Sequence, residues 1–124
     1  MKRRKAEQFL YLTTTGRISG QPREVEIWYL EANGRYYLLS EGGREANWVR
    51  NIERNSRVKV AVGKREFEGT ARVVDEQRDP ETWALAHRLG KKKYDWDGGL
   101  PVEITPDRAS RGKGSTTKTT KGTK

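Results

Sequence analysis

The stretch from residue 24 to residue 40 constrains the fold of this chain more than any other. Residues 24–31 (EVEIWYLE) place two alternating sets of side chains on opposite faces of a strand: Val25, Ile27 and Tyr29 on one face, and Glu24, Glu26 and Trp28 on the other. Asn33-Gly34 follows, the dipeptide that most readily supplies the two positive φ angles of a tight turn. Residues 35–40 (RYYLLS) then continue as a second strand. The sequence therefore predicts a β-hairpin with a two-residue turn.

Four other segments have the composition of strands. They are short, rich in β-branched and aromatic residues, and bounded by turn signals: residues 9–15, 58–62, 66–74 and 100–105. Gly69 lies inside the third of them and indicates a bulge or a bend.

Two short helices are expected between the strands. Apolar side chains recur at helical spacing over residues 44–54, which predicts the first helix. The second begins at Asp79, whose side chain can cap free backbone amides, and closes at Gly90. Six antiparallel strands with two short helices predict a mainly β (α+β) fold. We expect a small closed or nearly closed barrel, because closure removes exposed strand edges.

The excess of positive charge lies at the two ends of the chain. The formal net charge is +9, which equals the number of basic residues in segments 2–5 and 111–124 taken together. Residues 111–124 contain no apolar side chain and cannot offset their ordering entropy by burial. We therefore expect a basic N-terminal arm (residues 1–8), a barrel domain (residues 9–108) and a disordered basic tail (residues 109–124).

Composition disfavours several kinds of site. Cysteine is absent, which excludes disulfides, thiolate nucleophiles and thiolate metal ligands. The single histidine, His87, makes a zinc or iron site unexpected, and we interpret it as a surface or structural residue. No run approaches the roughly 18 apolar residues of a membrane-spanning helix, and the N-terminus lacks the apolar core of a secretion signal. A cytoplasmic location is expected.

Residues 13–23 (TTTGRISGQPR) combine the features of a phosphate-binding loop. Gly16 and Gly20 allow a turn that frees backbone amides, and Arg17 and Arg23 supply fixed positive charge as planar donors. The alternative is an ordinary exposed loop with solvated arginines, and composition alone favours that alternative.

Ser40, Gly42 and Gly43 form a second candidate, where a strand passes into a helix. Glycines there let a ligand approach the backbone closely, and the first turn of a helix offers unpaired amides to an anion. The alternative is a connector in which glycine only permits a sharp corner. Trp48, on the helix that follows, is more often a core residue than a ligand platform.

An aromatic set forms the third candidate: Trp28, Tyr29, Tyr94 and Trp96. These rings can wall a pocket for a planar heterocycle, and a tyrosine hydroxyl can donate a hydrogen bond or a proton. Core packing is the alternative, and it is favoured for Trp28. Tyr94 and Trp96 lie in a predicted polar loop, residues 91–99, where core packing explains them less well.

These motifs together resemble the deazaflavin-dependent nitroreductase family, also described as quinone reductases that use the deazaflavin coenzyme F-420. The shared pattern is TTTGRxSGQPR, an alternating hairpin strand, SxGG, a Trp-containing helix that leads into NSRVKVAV, and a closing LPVEITP strand. The resemblance covers roughly residues 9–107. It implies the split β-barrel fold of the FMN-binding type and, by analogy, a homodimer.

The resemblance also implies roles for individual residues. The residues implied to grip the phosphate side of the cofactor are Thr15, Gly16, Arg17, Ser19, Gly20, Gln21 and Arg23. Ser40, Gly42 and Gly43 are implied to lie against the deazaflavin and its linker, with Trp48 beside them. Tyr94 is the nearest match to the tyrosines that line the substrate pocket and is the catalytic candidate. No metal is implied.

Two function hypotheses follow. The first is an oxidoreductase that binds F-420 and transfers a hydride to a planar acceptor such as a quinone or nitroaromatic, with Tyr94 at most positioning or protonating that acceptor. The second is a cofactor-free or FMN-binding split-barrel module whose basic ends contact nucleic acid or an anionic membrane without sequence specificity. Arg17 and Arg23 favour the first hypothesis. Ile18 and Glu41, where relatives carry lysine, favour the second.

Overall fold

The computed structural model describes residues 9–107, which form seven strands and two α-helices. The strands are β1 (Phe9–Thr15), β2 (Pro22–Trp28), β3 (Leu30–Ala32), β4 (Arg35–Ser40), β5 (Arg57–Val62), β6 (Arg65–Val73) and β7 (Leu100–Pro106). The helices are α1 (Asn47–Arg54), preceded by a 3-10 turn at Gly43–Glu45, and α2 (Pro80–Tyr94). The predicted basic arm and basic tail lie outside the described residues. Neither α-helix is long and apolar enough to cross a membrane.

All strand pairs are antiparallel, in the order β2-β1-β5-β6-β7-β4-β3. The two edge strands, β2 and β3, are separated in sequence by Tyr29 alone. Because the chain passes directly from one edge to the other, the sheet must curl until its edges approach each other. This confirms the mainly β, barrel-like fold with two helices. The predicted strand over residues 24–31 is divided in two, since the chain leaves β1 and joins β4 at Tyr29, so the strand count is seven instead of six.

The predicted hairpin turn is confirmed. Asn33 and Gly34 have φ angles of 55° and 77°, as a type I′ turn requires. The turn sets the register in which Leu30 pairs with Tyr37.

The core lies inside the curled sheet. Leu10 and Leu12 of β1 are fully buried, and Val49 and Ile52 of α1 pack into the same cluster. A smaller cluster around Leu30, Tyr37 and Ala86 holds α2 against β3 and β4. Burial of this apolar surface is the main source of stability.

Three local predictions were wrong in detail. The helix expected over residues 44–54 is interrupted at Ala46, whose ψ of 138° is extended, so the 3-10 turn and α1 are separate. Of the bulge or bend predicted at Gly69, only the bulge is excluded, because the pairing of β6 with β5 and β7 keeps a constant register at this residue. A Cβ at this position would lie 2.5 Å from the carbonyl oxygen of Thr105, and this close approach explains the glycine.

The second helix does not end at Gly90 but continues to Tyr94, with Asp95 in the left-handed region at φ 59°. Gly90 is buried inside the helix. A Cβ there would lie 2.7 Å from the carbonyl oxygen of Trp96 and 2.8 Å from Leu39 Cδ1. The glycine is therefore explained by close packing and not by helix termination.

Gly90→Ala is expected to lower stability, although alanine favours a helix by about 1 kcal/mol over glycine. Overpacking against Trp96 and Leu39 costs about 1–3 kcal/mol, which exceeds that gain. Thermal denaturation measures the difference. Ala84→Gly, at an exposed position of the same helix, provides the control and should cost about 1 kcal/mol from propensity alone. A higher melting temperature for Gly90→Ala would contradict the packing explanation.

Candidate functional site

An open cleft of about 370 Å³ lies between β2, the β4–α1 corner and the end of α2. Five aromatic side chains line it: Phe9, Trp28, Trp48, Tyr94 and Trp96. Ser40, Glu41 and Gly42 line it from the corner. The structure therefore brings together most of the second and third candidate sets, which are far apart in the sequence.

Trp28 and Tyr94 stack on each other in this cleft. Their ring centroids are 4.4 Å apart and their planes differ by 13°. Trp28 is 43% exposed, so the core interpretation that the sequence favoured for it is wrong. Tyr94 is the last residue of α2 and not a loop residue, because the helix continues past Gly90. The pair forms a flat aromatic wall that a planar ligand can contact.

The hydroxyl of Tyr94 donates a hydrogen bond to the backbone carbonyl of Tyr29, at 2.8 Å. Lys93 Nζ donates to the same oxygen at 3.0 Å. Burial raises the pKa of Tyr94 to about 12. In this geometry the ring of Tyr94 lines the cleft, while its hydroxyl anchors α2 at the point where β2 passes into β3.

Alkaline pH is expected to destabilise the fold through late-ionising tyrosines; burial raises the pKa of Tyr36, Tyr37 and Tyr94. Burial, and a hydrogen bond to Glu103, raise the pKa of Tyr37 to about 12, and Tyr94 has a similar value. Tyrosine in an unfolded chain ionises near pH 10. The stabilisation is therefore complete below about pH 10 and is lost as the pH rises towards 12.

Tyrosinate absorbance and circular dichroism, followed together during an alkaline titration, measure this effect. Tyr94→Phe should remove one late-ionising group and is the matched control. Ionisation of all five tyrosines near pH 10 with unchanged circular dichroism would contradict the expectation.

The loop between β1 and β2 is closed by its own backbone. Gly16 N–H donates to the carbonyl of Gln21, and Gly20 N–H donates to the carbonyl of Gly16, both at 2.8 Å. Ser19 Oγ accepts from Gln21 N at 3.1 Å and from Arg23 Nη2 at 3.3 Å. These contacts hold Arg23 on the outer side of a compact turn.

Asn51, on α1, fixes the loop to the barrel. It is 4% exposed, and its Nδ2 donates to Thr14 Oγ1 at 3.0 Å. Its Oδ1 accepts from the backbone N–H of Arg17 at 3.1 Å and from Arg17 Nη1 at 2.9 Å. Arg17 Nη2 also donates to Asn47 Oδ1 at 3.3 Å. The guanidinium therefore lies against the first turns of α1.

The individual contacts of Asn51 and Asn47 were missed by sequence reasoning. A signal was present, since Asn51 stands beside Val49 and Ile52 on the buried side of α1. A buried polar side chain requires partners. Its partners, Thr14 and Arg17, are distant in sequence and could not be identified from it.

Seven of the predicted site residues are divided between two depressions, and the other five line neither of them: Ser19, Gly20, Gln21, Arg23 and Gly43. Thr15, Gly16 and Arg17 line a shallow depression together with Arg54, Asn55 and Ser56, whereas Ser40, Gly42, Trp48 and Tyr94 line the aromatic cleft. Gly43 contributes its carbonyl, which accepts from the buried Ser40 Oγ at 3.0 Å. The two depressions share no lining residue, but both border α1: the cleft lies at its start, near Trp48, and the shallow depression at its end, near Arg54, while Arg17 contacts Asn47 and Asn51 along the helix.

His87, on α2, lines neither depression. Its Nδ1 is 3.0 Å from the carbonyl oxygen of Trp83, and its Nε2 is 2.8 Å from that of Gly99. Both ring nitrogens thus contact backbone, which joins α2 to the segment before β7. The residue has a structural role in the described part of the chain.

Comparisons with known proteins give consistent results. The model of the family described as F-420H(2)-dependent quinone reductase matches residues 2–105. A curated F-420H(2)-dependent quinone reductase of Mycobacterium tuberculosis is 31% identical over 91 residues, which are 68% of this chain and 60% of that protein. The chain thus corresponds to only part of the length of that relative.

Solved structures agree with these sequence matches. The structure of an F-420-H2 dependent reductase, FDR-A, has a TM-score of 0.59 and 28% identity, and the match covers 81% of this chain and 94% of that one. A structure described as a domain-swapped dimer has a TM-score of 0.57 and 29% identity, and covers 81% of this chain and 80% of its own. These likenesses confirm the predicted split-barrel type of fold.

Proposed function

The chain belongs to the F-420H(2)-dependent quinone reductase family, and from that premise we propose that it is an oxidoreductase that binds the deazaflavin coenzyme F-420 and reduces a small planar quinone or nitroaromatic. The observation that carries this proposal is that two depressions border the same short helix, α1, one at each end, with Arg17 bonded along the helix between them. One is aromatic and suits a flat ring, and the other carries arginines and suits a phosphate.

The residues present fit the two chemical parts of such a coenzyme. The aromatic cleft has flat walls and a volume of about 370 Å³, which is at the lower end of ordinary ligand pockets. Arg17 is held in place by Asn47 and Asn51, so its planar donors are already positioned. Trp48, Ser40 and Gly42 would hold the ring, and Arg17 and Arg23 the phosphate side.

The coenzyme, when bound, supplies the hydride. The chain's own residues bind and orient the coenzyme and the acceptor, and they exclude water. Trp28 and Tyr94 present the stacked wall against which a planar acceptor would lie. The Tyr94 hydroxyl is bonded to the Tyr29 carbonyl, so we assign Tyr94 a positioning role: its ring supports the ring of Trp28.

We extend the proposal to the assembly. The structure described as a domain-swapped dimer is 29% identical to this chain, and twofold dimers are the commonest oligomers. A homodimer is therefore proposed, and light scattering after size-exclusion chromatography tests it. A monomeric mass at micromolar concentration would contradict it.

The alternative, a module that binds FMN or no cofactor, is favoured by one observation. Glu41 is exposed in the cleft, and Ile18 is 90% exposed in the loop, so neither position provides a positive charge for an anionic coenzyme. A comparison of the two cofactors separates the alternatives.

The test is a titration of the full chain with oxidised F-420 and with FMN, followed by an assay of quinone reduction with reduced F-420. Saturable F-420 binding and reductase activity are expected. Trp48→Ala should weaken binding, whereas Trp83→Ala, outside the cleft lining, is the matched control and should not. Binding of FMN alone, or of neither cofactor, would overturn the proposal in favour of the alternative.

A further inference from the structure

We propose that the aromatic cleft selects acceptors by charge: it prefers planar aromatic rings that carry a positive charge, accepts neutral rings, and disfavours anionic ones. This inference deepens the proposed function and rests on it in one respect, that the acceptor binds in the cleft. The selection itself is a property of the residues of this chain.

The cleft lining carries charge of one sign only. Its charged members are Glu26 and Glu41, and its other members are aromatic, aliphatic, serine or glycine. Both glutamates are exposed, so they face solvent at the mouth of the cleft. A ligand that enters therefore meets two carboxylates and no basic side chain among the lining residues.

Glu26 is placed beside the aromatic wall. It lies two residues before Trp28 on β2, and residues two apart in a strand share a face. Tyr11, opposite Glu26 on β1, donates from its hydroxyl to Glu26 Oε2 at 3.5 Å. This neutral neighbour orients the carboxylate without compensating its charge.

Lys93 is a cation next to this wall. Its Nζ lies 4.3 Å from the Tyr29 ring centroid and 5.1 Å from that of Tyr94. It donates to the Tyr29 carbonyl and is not among the lining residues. Lys93 thus belongs to the anchor of α2 and not to the surface that a ligand contacts.

Two physical effects act in the same direction on a bound ring. The exposed ring of Trp28 attracts cations, and the carboxylates attract cations and repel anions. Because the carboxylates are exposed, salt screens their effect, and the discrimination should decline with ionic strength. We expect each glutamate to contribute a factor of roughly 1.5 to 5 in affinity at low salt.

The position of the Tyr94 hydroxyl is compatible with a cationic acceptor, because reduction of such a ring requires no acid. A C–H bond forms on the acceptor ring as a C–H bond of the reduced deazaflavin breaks, so the ring is reduced and the coenzyme oxidised. The cationic ring becomes neutral and takes up no separate proton. The hydroxyl that is bonded to the Tyr29 carbonyl is then not needed as an acid. N-alkylated heteroaromatic cations are acceptors of this class.

The test compares three ligands of the same shape and different charge. N-methylacridinium, acridine and acridine-9-carboxylate are titrated into the full chain by calorimetry, without coenzyme, at low and at high ionic strength. The variants are Glu26→Gln, Glu41→Gln and the double variant. Glu24→Gln, on the same strand and outside the cleft lining, is the matched control.

The cation is expected to bind at least tenfold more tightly than the anion at low salt. The double variant should remove most of this difference, and Glu24→Gln should preserve it. Equal affinities, or a preference that the double variant leaves unchanged, would overturn the inference.

Because the titration uses no coenzyme, its result is distinct from that of the cofactor test. Charge selection without F-420 binding would contradict the proposed function and leave this inference standing. F-420 binding without charge selection would contradict this inference and leave the proposed function standing.

Discussion

Arg17→Ala is expected to weaken F-420 binding by about 1.5–3 kcal/mol, which is roughly 10- to 150-fold in Kd. The guanidinium lies against α1 through Asn47 and Asn51, so little further ordering is needed when it meets a phosphate. A charged hydrogen bond from a pre-positioned arginine loses its whole contribution on truncation. Fluorescence titration of the coenzyme measures the change.

The matched control for this prediction is Arg35→Ala. Arg35 is exposed on β4 and lines a groove away from both depressions. Its replacement should leave the Kd unchanged. Arg17→Ala should keep the fold, because loss of the Asn51 contact costs about 1.5 kcal/mol from a total of about 5–15 kcal/mol. An unchanged Kd for folded Arg17→Ala would remove the loop from the proposed site.

The sequence was sufficient for features that depend on local chemistry. The Asn33-Gly34 turn, the strand over residues 9–15 and the Asp79 cap are decided by residues close to one another. The cap is observed as a bond from Thr82 N to Asp79 Oδ1 at 3.3 Å. Local rules of this kind are reliable when no distant contact opposes them.

The features that sequence reasoning did not give depend on distant partners. Gly90 suggested a helix end, but its true neighbours are Trp96 and Leu39, which require close packing inside the helix. Trp28 suggested a core residue, but its ring stacks on Tyr94 at the surface of the cleft. In each case tertiary packing overrode a local preference, and the packing partner lies about six to 66 positions away.

Arg72→Ala is expected to destabilise the domain by about 3 kcal/mol, near the lower end of the range for a broken buried ion pair because Arg72 itself is half exposed. Glu103 of β7 is only 6% exposed. It accepts from Arg72 Nε at 2.7 Å and from the Tyr37 hydroxyl at 3.0 Å. Without Arg72 the buried carboxylate keeps one neutral donor. For a domain of this size the melting temperature should fall by roughly 12–24 °C.

A double-mutant cycle with Glu103→Gln tests whether the buried charge is the cause. If it is, Glu103→Gln should recover part of the stability lost in Arg72→Ala, because the neutral amide no longer requires a cation.

Arg57→Ala is the matched control: Arg57 pairs with Asp107 at 2.6 Å but on the surface, where screening by solvent leaves such pairs with little effect. A similar melting temperature for Arg72→Ala and Arg57→Ala would show that burial of Glu103 does not matter. A larger loss for Arg72→Ala that Glu103→Gln partly reverses would identify this pair as the link that joins β6 and β7 to the cap of α2, since Arg72 Nη2 also donates to Asp79 at 2.6 Å.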